Sequence, residues 1–152
     1  NLMDYYIQKG KIDEGLAQMD AVLAKNSTPY FMYVKGVLQY EKKDYDGAIA
    51  TFNQIIAEGK DFVAEAYSKI GDCSFFPAQE IVEENSKLSM DDPKYATNEA
   101  KIKELYEKAL PFYEKAKEAK PDNRQLWGQY LLNIYWKLDK EKYNALEKEL
   151  GY

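Results

Sequence analysis

The stretch KKDYDGAIATF, Lys42–Phe52, carries the pattern on which the fold prediction depends. A polar corner is followed by a small residue, Ala48, and then by an aromatic residue, Phe52. Residues four apart lie on the same face of an α-helix, so both side chains should point to one side of a helix that begins after the corner. A small residue on that face lets a second helix approach closely, and a large one fills the space beside it.

The same pattern recurs at a fixed distance along the chain. The stretch QKGKIDEGLAQMDAVL, Gln8–Leu23, is a degenerate copy displaced by 33 residues, in which Gly15 takes the place of Ala48. Another pair of small residues, Gly36 and Gly71, stands 35 positions apart. Periods near this length indicate tandem helix pairs, each of which must stack on its neighbours to bury its apolar face.

This periodic set resembles the tetratricopeptide repeat, whose pattern is W-x2-L-G-x2-Y, then A-x3-F, then P. The positions that fill those slots are Met32, Gly36, Ala48 and Phe52 in the second repeat, Tyr67, Ile70, Gly71, Ala109, Tyr113, Ala116 and Pro121 in the third, and Trp127 in the fourth. The sequence departs from the pattern at Gln39, Ser74 and Leu131. The resemblance implies an all-α fold, a right-handed α-α superhelix of about four helix pairs.

We predict a single domain over residues 1–152. Its repeats are expected at 1–28 (partial), 29–62, 63–123 and 124–152, the last acting as a cap. The chain begins at Asn1 in the middle of a helical pattern. We therefore expect it to be a fragment, or the ordered part, of a longer protein, so that any signal peptide would lie upstream.

The third repeat is much longer than the second. Gly71 and Ala109 stand 38 positions apart, whereas the equivalent Gly36 and Ala48 are 12 apart. The inserted residues, about 76–101, carry two apolar stripes of helical spacing, which predicts one lengthened helical hairpin. An unstructured loop of that length would be unusual in a compact domain.

The turn of this hairpin is predicted near residues 89–92. Asp92 and Pro93 have the pattern of an N-cap followed by a first helical residue. Pro77 and Pro111 fall inside the two long helices, where a proline removes one backbone hydrogen bond. We expect kinks or short breaks at both positions.

The end of the chain has a further resemblance. Over about residues 64–150, a lengthened repeat is followed by a tyrosine-rich helix pair, LLNIYWKLDKEKYNALEKEL. This arrangement resembles tetratricopeptide repeat proteins of Bacteroides-type bacteria. The residues themselves leave the location unknown, and the resemblance implies the periplasm or the cell envelope.

Composition excludes several classes of function. The formal net charge of -5 argues against nucleic acid as a partner, because phosphates require a basic surface. The chain contains no histidine, which excludes Ser-His-Asp and Cys-His catalytic sites, and its one cysteine, Cys73, cannot form an internal disulfide. No phosphate-binding motif and no long apolar run occur, and Asp91 with Asp92 is better explained as a helix cap than as a cation site. We predict no enzyme activity, no cofactor, no metal and no transmembrane segment in this fragment.

What remains is a surface. First helices of stacked pairs line a concave groove, and the residues expected to face it are Tyr30, Tyr33, Val37, Tyr40, Ser68, Asp72, Phe75, Gln125, Leu132 and Tyr135. Aromatic residues in such a stripe either pack between repeats or bind a partner, and the pattern alone leaves both open.

Two functions fit this surface. The first is a non-catalytic scaffold whose groove binds a protein or peptide of unknown identity. The alternative is a small-ligand-binding or structural module of a bacterial envelope uptake system, with a groove that holds a peptide, lipid or glycan fragment.

Overall fold

The computed structural model describes residues 1–152, which form eight α-helices, one short 3-10 turn and no strand. In chain order these are α1 (Leu2–Gln8), α2 (Ile12–Lys25), α3 (Pro29–Glu41), α4 (Tyr45–Glu58), α5 (Val63–Ser86), α6 (Pro93–Ala119), the 3-10 turn (Arg124–Leu126), α7 (Gly128–Leu138) and α8 (Lys140–Leu150). The predicted all-α fold of paired helices is confirmed. The chain divides into two compact units, Asn1–Ile70 and Gly71–Tyr152, and the boundary falls inside α5.

The polar corner before Ala48 is a helix boundary. The chain turns at Lys43, whose backbone is left-handed with a φ of 64°. The Asp44 side chain then accepts a hydrogen bond from the Gly47 backbone N–H at 3.0 Å, which caps the N-terminus of α4. This cap satisfies one of the amide groups that the first helical turn leaves without a partner.

The first unit is held together by rings that lie against glycines. Phe52 on α4 is fully buried, and a Cβ atom added to Gly36 on α3 would lie only 2.6 Å from its ring. Tyr6 on α1 covers Gly15 on α2 in the same way, with a distance of 2.7 Å. Because each ring occupies the space where a side chain would stand, the two helices of each pair come close together.

Ala48 offers a direct test of this close packing. Its side chain is fully buried, so Ala48→Leu should overpack the first unit and lower the free energy of unfolding by about 1–3 kcal/mol. Ala50→Leu is the matched control, because Ala50 lies on the exposed side of α4 and leucine is almost as good a helix former as alanine. Chemical denaturation of both variants measures the difference. Equal stabilities would contradict close packing at Ala48.

The lengthened hairpin is also confirmed. Helices α5 and α6 contain 24 and 27 residues, against 13 and 14 in α3 and α4, which adds about three turns to each. The predicted N-cap is present, since Asp92 accepts a hydrogen bond from the Lys94 backbone N–H at 2.9 Å. Within the second unit the two helices run antiparallel. Near one end of the hairpin, the Tyr113 hydroxyl on α6 donates a hydrogen bond to the Asp72 carboxylate on α5 at 2.7 Å.

Neither proline breaks its helix. Pro77 lies inside α5 and Pro111 inside α6, and both helices continue through them, so the expected short breaks do not form. Each proline removes one backbone hydrogen bond, but its neighbours are anchored in the core. Ala78 follows Pro77 and is fully buried, and Tyr113 holds α6 just beyond Pro111. Tertiary packing therefore outweighs the local cost.

Candidate functional site

The predicted groove residues of α3 form a partly accessible aromatic strip in the first unit. Tyr30 is 38% exposed, Tyr33 and Tyr40 are half-buried, and Val37 is buried. The Tyr33 ring stacks on Phe62 with centroids 5.1 Å apart and an interplanar angle of 18°. This stacking holds the tyrosine ring in one orientation while leaving part of it in solvent.

Most of the other predicted groove residues are enclosed. Gln125 is exposed, whereas the structure buries Ser68, Asp72, Phe75, Leu132 and Tyr135. The Tyr135 hydroxyl donates to Glu114 at 2.7 Å, and burial followed by this hydrogen bond raises the pKa of Tyr135. These side chains have the helical spacing of a surface strip, but they are buried in contacts with other helices. Packing between helices was one of the two alternatives that the pattern left open.

A pocket of about 650 Å³ lies within the second unit, and we call it the hairpin pocket. It is lined by α5, α6 and α7, and its lining includes Gln79, Val82, Asn85, Tyr95, Glu99, Tyr106, Asn133, Trp136 and Lys137. Its volume is within the range of sites that hold small molecules. None of these residues was among the predicted groove residues.

A buried amide network fixes α5 against α6 beside the hairpin pocket. Asn85 is buried, and its amide group donates to the Tyr95 carbonyl and to Glu99, each at 3.2 Å. Its carbonyl oxygen accepts from the Asn98 amide at 2.8 Å. All the hydrogen-bonding groups of the Asn85 side chain are therefore engaged, as a buried amide requires.

An ion pair joins α7 to the same network. The Lys137 ammonium group forms a hydrogen bond and ion pair with Glu99. This hydrogen bond lowers the pKa of Glu99, with a smaller contribution from Asn85. The carboxylate is thus charged at neutral pH, and the pocket carries no net charge, since Glu99 and Lys137 are the only charged side chains that line it.

Two aromatic side chains give the pocket its apolar surface. Trp136 is 58% exposed, with the Lys140 ammonium group over its ring and the Tyr143 ring edge-on at 5.1 Å. Tyr106 is buried and its hydroxyl donates to Gln79. Burial, and secondarily the negative charge of Glu99, raise the pKa of Tyr106, so its hydroxyl stays protonated.

The sequence contained two signals that point to this pocket. The insertion lengthens α5 and α6, which places Val82 and Glu99 beyond the ends of an ordinary repeat. A tryptophan, Trp136, stands two positions after Ile134 on α7, so it lies off the face that Ile134 shares with the core. Periodicity alone assigns both features to solvated or packed helix faces.

The first unit also matches a known family. Its helices pair through small residues under aromatic rings, at Gly15 with Tyr6 and at Gly36 with Phe52. Residues 1–61 match the tetratricopeptide repeat. The match spans α1 to α4, and tetratricopeptide repeats generally mediate protein–protein interactions. No curated protein and no solved structure shows a significant match to the chain. The resemblance of residues 64–150 to Bacteroides-type proteins stays a prediction.

Metal-binding clusters and membrane-spanning helices are absent from the structure. The structure contains no group of three or more cysteine, aspartate or glutamate side chains placed to hold a metal ion. None of the helices combines the length and the apolar character needed to cross a bilayer. The candidate sites that the geometry favours are the α3 strip and the hairpin pocket.

Proposed function

We propose that the protein is a non-catalytic interaction module that binds a segment of a partner protein through the aromatic strip of α3. The observation that carries this proposal is the accessibility of Tyr30, Tyr33 and Tyr40 on a helix that belongs to the tetratricopeptide match. Tyrosine is enriched at protein interfaces because its ring gives a large contact area and its hydroxyl can hydrogen-bond.

The rings are organised before a partner arrives. Phe62 stacks on Tyr33 and lies 6.1 Å from the Tyr30 ring, so it supports both side chains from one side. A ring that is already held in place loses little conformational entropy on binding. The net charge of -5 favours an apolar or basic partner segment over an acidic one.

A second candidate function is favoured by a separate observation. The hairpin pocket is large enough for a small ligand, and none of its lining residues belongs to the α3 strip. It supports the alternative of a small-ligand-binding module, which would suit an envelope uptake system.

The interaction proposal predicts the effect of removing the tyrosines. Tyr30→Ala combined with Tyr33→Ala should weaken capture of the native partner from cell extract at least about tenfold, because aromatic anchors typically contribute ~2 kcal/mol each. Tyr5→Ala is the matched control, since Tyr5 is an exposed tyrosine of the same unit outside α3. Affinity is measured with the immobilised protein and the purified partner, and circular dichroism verifies folding. A folded double variant with unchanged affinity would refute the role of the α3 strip.

A further inference from the structure

We propose that the hairpin pocket binds a neutral carbohydrate. The inference does not depend on partner binding by α3, because the two surfaces share no residue. It rests on the aromatic and polar groups that line the pocket and on the ion pair in which the two charged lining residues neutralise each other.

The first requirement of a sugar site is an aromatic platform. The faces of a pyranose ring carry C–H bonds with partial positive charge, which are attracted to the negative face of an aromatic ring. Trp136 supplies such a ring, 58% exposed and lining the pocket. The Lys140 ammonium group over the ring and the Tyr143 ring edge-on to it restrict the indole before a ligand enters.

The second requirement is a set of groups that match hydroxyls, each of which both donates and accepts hydrogen bonds. The polar groups of the lining residues that make no hydrogen bond within the chain include the Gln79 amide nitrogen, the Asn133 amide oxygen and the Tyr95 hydroxyl. They provide one donor, one acceptor and one group that can do both. The partners already present orient two of them, since Gln79 accepts from Tyr106 and Asn133 donates to the Gln129 carbonyl at 2.8 Å.

Charge distinguishes the carbohydrate from other ligands. An anionic or cationic ligand would need an unpaired counter-charge, but Glu99 and Lys137 are paired with each other. A cation at Trp136 is further disfavoured because the Lys140 ammonium group over that ring would repel it, whereas a neutral sugar would not be repelled. A lipid chain would strip water from the free amide and hydroxyl groups without replacing their hydrogen bonds. A neutral ligand with hydroxyl groups and apolar faces satisfies all three conditions.

The two tryptophans make a direct assay possible. Trp127 is 1% exposed and Trp136 is 58% exposed, so acrylamide quenching of fluorescence reports mainly on Trp136. The probes are hexasaccharides of β-glucose, α-glucose, mannose, xylose and N-acetylglucosamine, with hexagalacturonate as an anionic control and an uncharged Gly-Ser peptide as a peptide control. At least one neutral hexasaccharide should protect Trp136 from acrylamide in a saturable manner.

Variants then assign the binding to the pocket, with affinity measured by isothermal titration calorimetry. The sugar tested is the one that protects Trp136 from acrylamide. Trp136→Ala should weaken its binding at least about tenfold, as expected for an aromatic anchor, and Asn133→Ala should weaken it severalfold. Met90→Ala is the control, because Met90 is exposed on the turn of the same hairpin and does not line the pocket. It should bind like the wild type.

The possible outcomes separate this proposal from the proposed function. The variant with Tyr30→Ala and Tyr33→Ala should keep wild-type sugar affinity, whatever its effect on the protein partner. Failure of every neutral hexasaccharide to bind would overturn the carbohydrate proposal, and so would tighter binding of hexagalacturonate or the peptide. Sugar binding that survives Trp136→Ala unchanged would overturn it as well.

Discussion

Phe52→Ala should lower the free energy of unfolding by about 3–5 kcal/mol, the cost of emptying a closely packed site of an aromatic ring. Phe52 is fully buried, and its ring lies directly against Gly36, which has no side chain of its own to fill the space. Urea denaturation of the variant and the wild type measures the loss. Phe76→Ala is the control for the removal of a phenylalanine ring and should cost less, because Phe76 is 40% exposed and Phe52 is fully buried.

A second substitution tests the reason for this loss. In the wild type, Gly36→Ala would place a Cβ atom 2.6 Å from the Phe52 ring and should cost about 1–3 kcal/mol by overpacking. In the Phe52→Ala background the ring is gone, and the better helix propensity of alanine, worth ~1 kcal/mol, should make the same change neutral or stabilising. The two substitutions should therefore be strongly non-additive. Additive effects would show that Gly36 and Phe52 do not share the space that the structure gives them.

Tyr113→Ala should be about as damaging in the second unit, with a loss of about 3–5 kcal/mol. The Tyr113 ring is fully buried, stacks on Tyr130 at 4.6 Å and covers Gly71, whose added Cβ atom would lie 2.7 Å away. Thermal and urea unfolding of the variant measure the loss. Tyr152→Ala, at an exposed tyrosine of the same unit, should change stability by less than about 0.5 kcal/mol.

The Tyr113 hydroxyl allows the effect to be divided. Tyr113→Phe keeps the ring and removes the hydroxyl that donates to the buried Asp72 carboxylate. It should cost about 1–3 kcal/mol, because the acceptor loses one partner without regaining water. A loss as large as that of Tyr113→Ala would mean that the hydrogen bond, and not the packing of the ring, dominates the stability of this site.

Features that depend on spacing within a helix could be predicted from the sequence. The distance of four residues between Ala48 and Phe52 determines that both side chains share a face, whatever lies beyond that face. The recurrence of small residues at Gly36 and Gly71 then predicts helix pairs. The length of the insertion and the cap at Asp92 were enough to predict the hairpin, because both are local properties.

Features that depend on what covers a face could not be predicted in this way. Phe75 has the spacing of a groove residue, but Tyr106 stacks on it at 5.7 Å and Tyr130 lies edge-on at 5.1 Å. Tyr106 lies on α6 and Tyr130 on α7, and the spacing within α5 does not state which side chains of other helices will cover its face. The hairpin pocket could not be predicted for the same reason, since Trp136 and Tyr95 line one pocket only because three helices pack together.

The buried amide pair of Asn85 and Asn98 has a consequence for the tolerance of the hairpin to insertions. Sliding α5 along α6 by one turn, about 5.4 Å, would bury both amides without partners. The alignment of the two helices is thus specified by these side chains and not by the length of the connection at residues 87–92. Extra residues or a fused domain could be accommodated in that connection while the pocket keeps its shape, which makes the tip of the hairpin a natural point for variation in length between related chains.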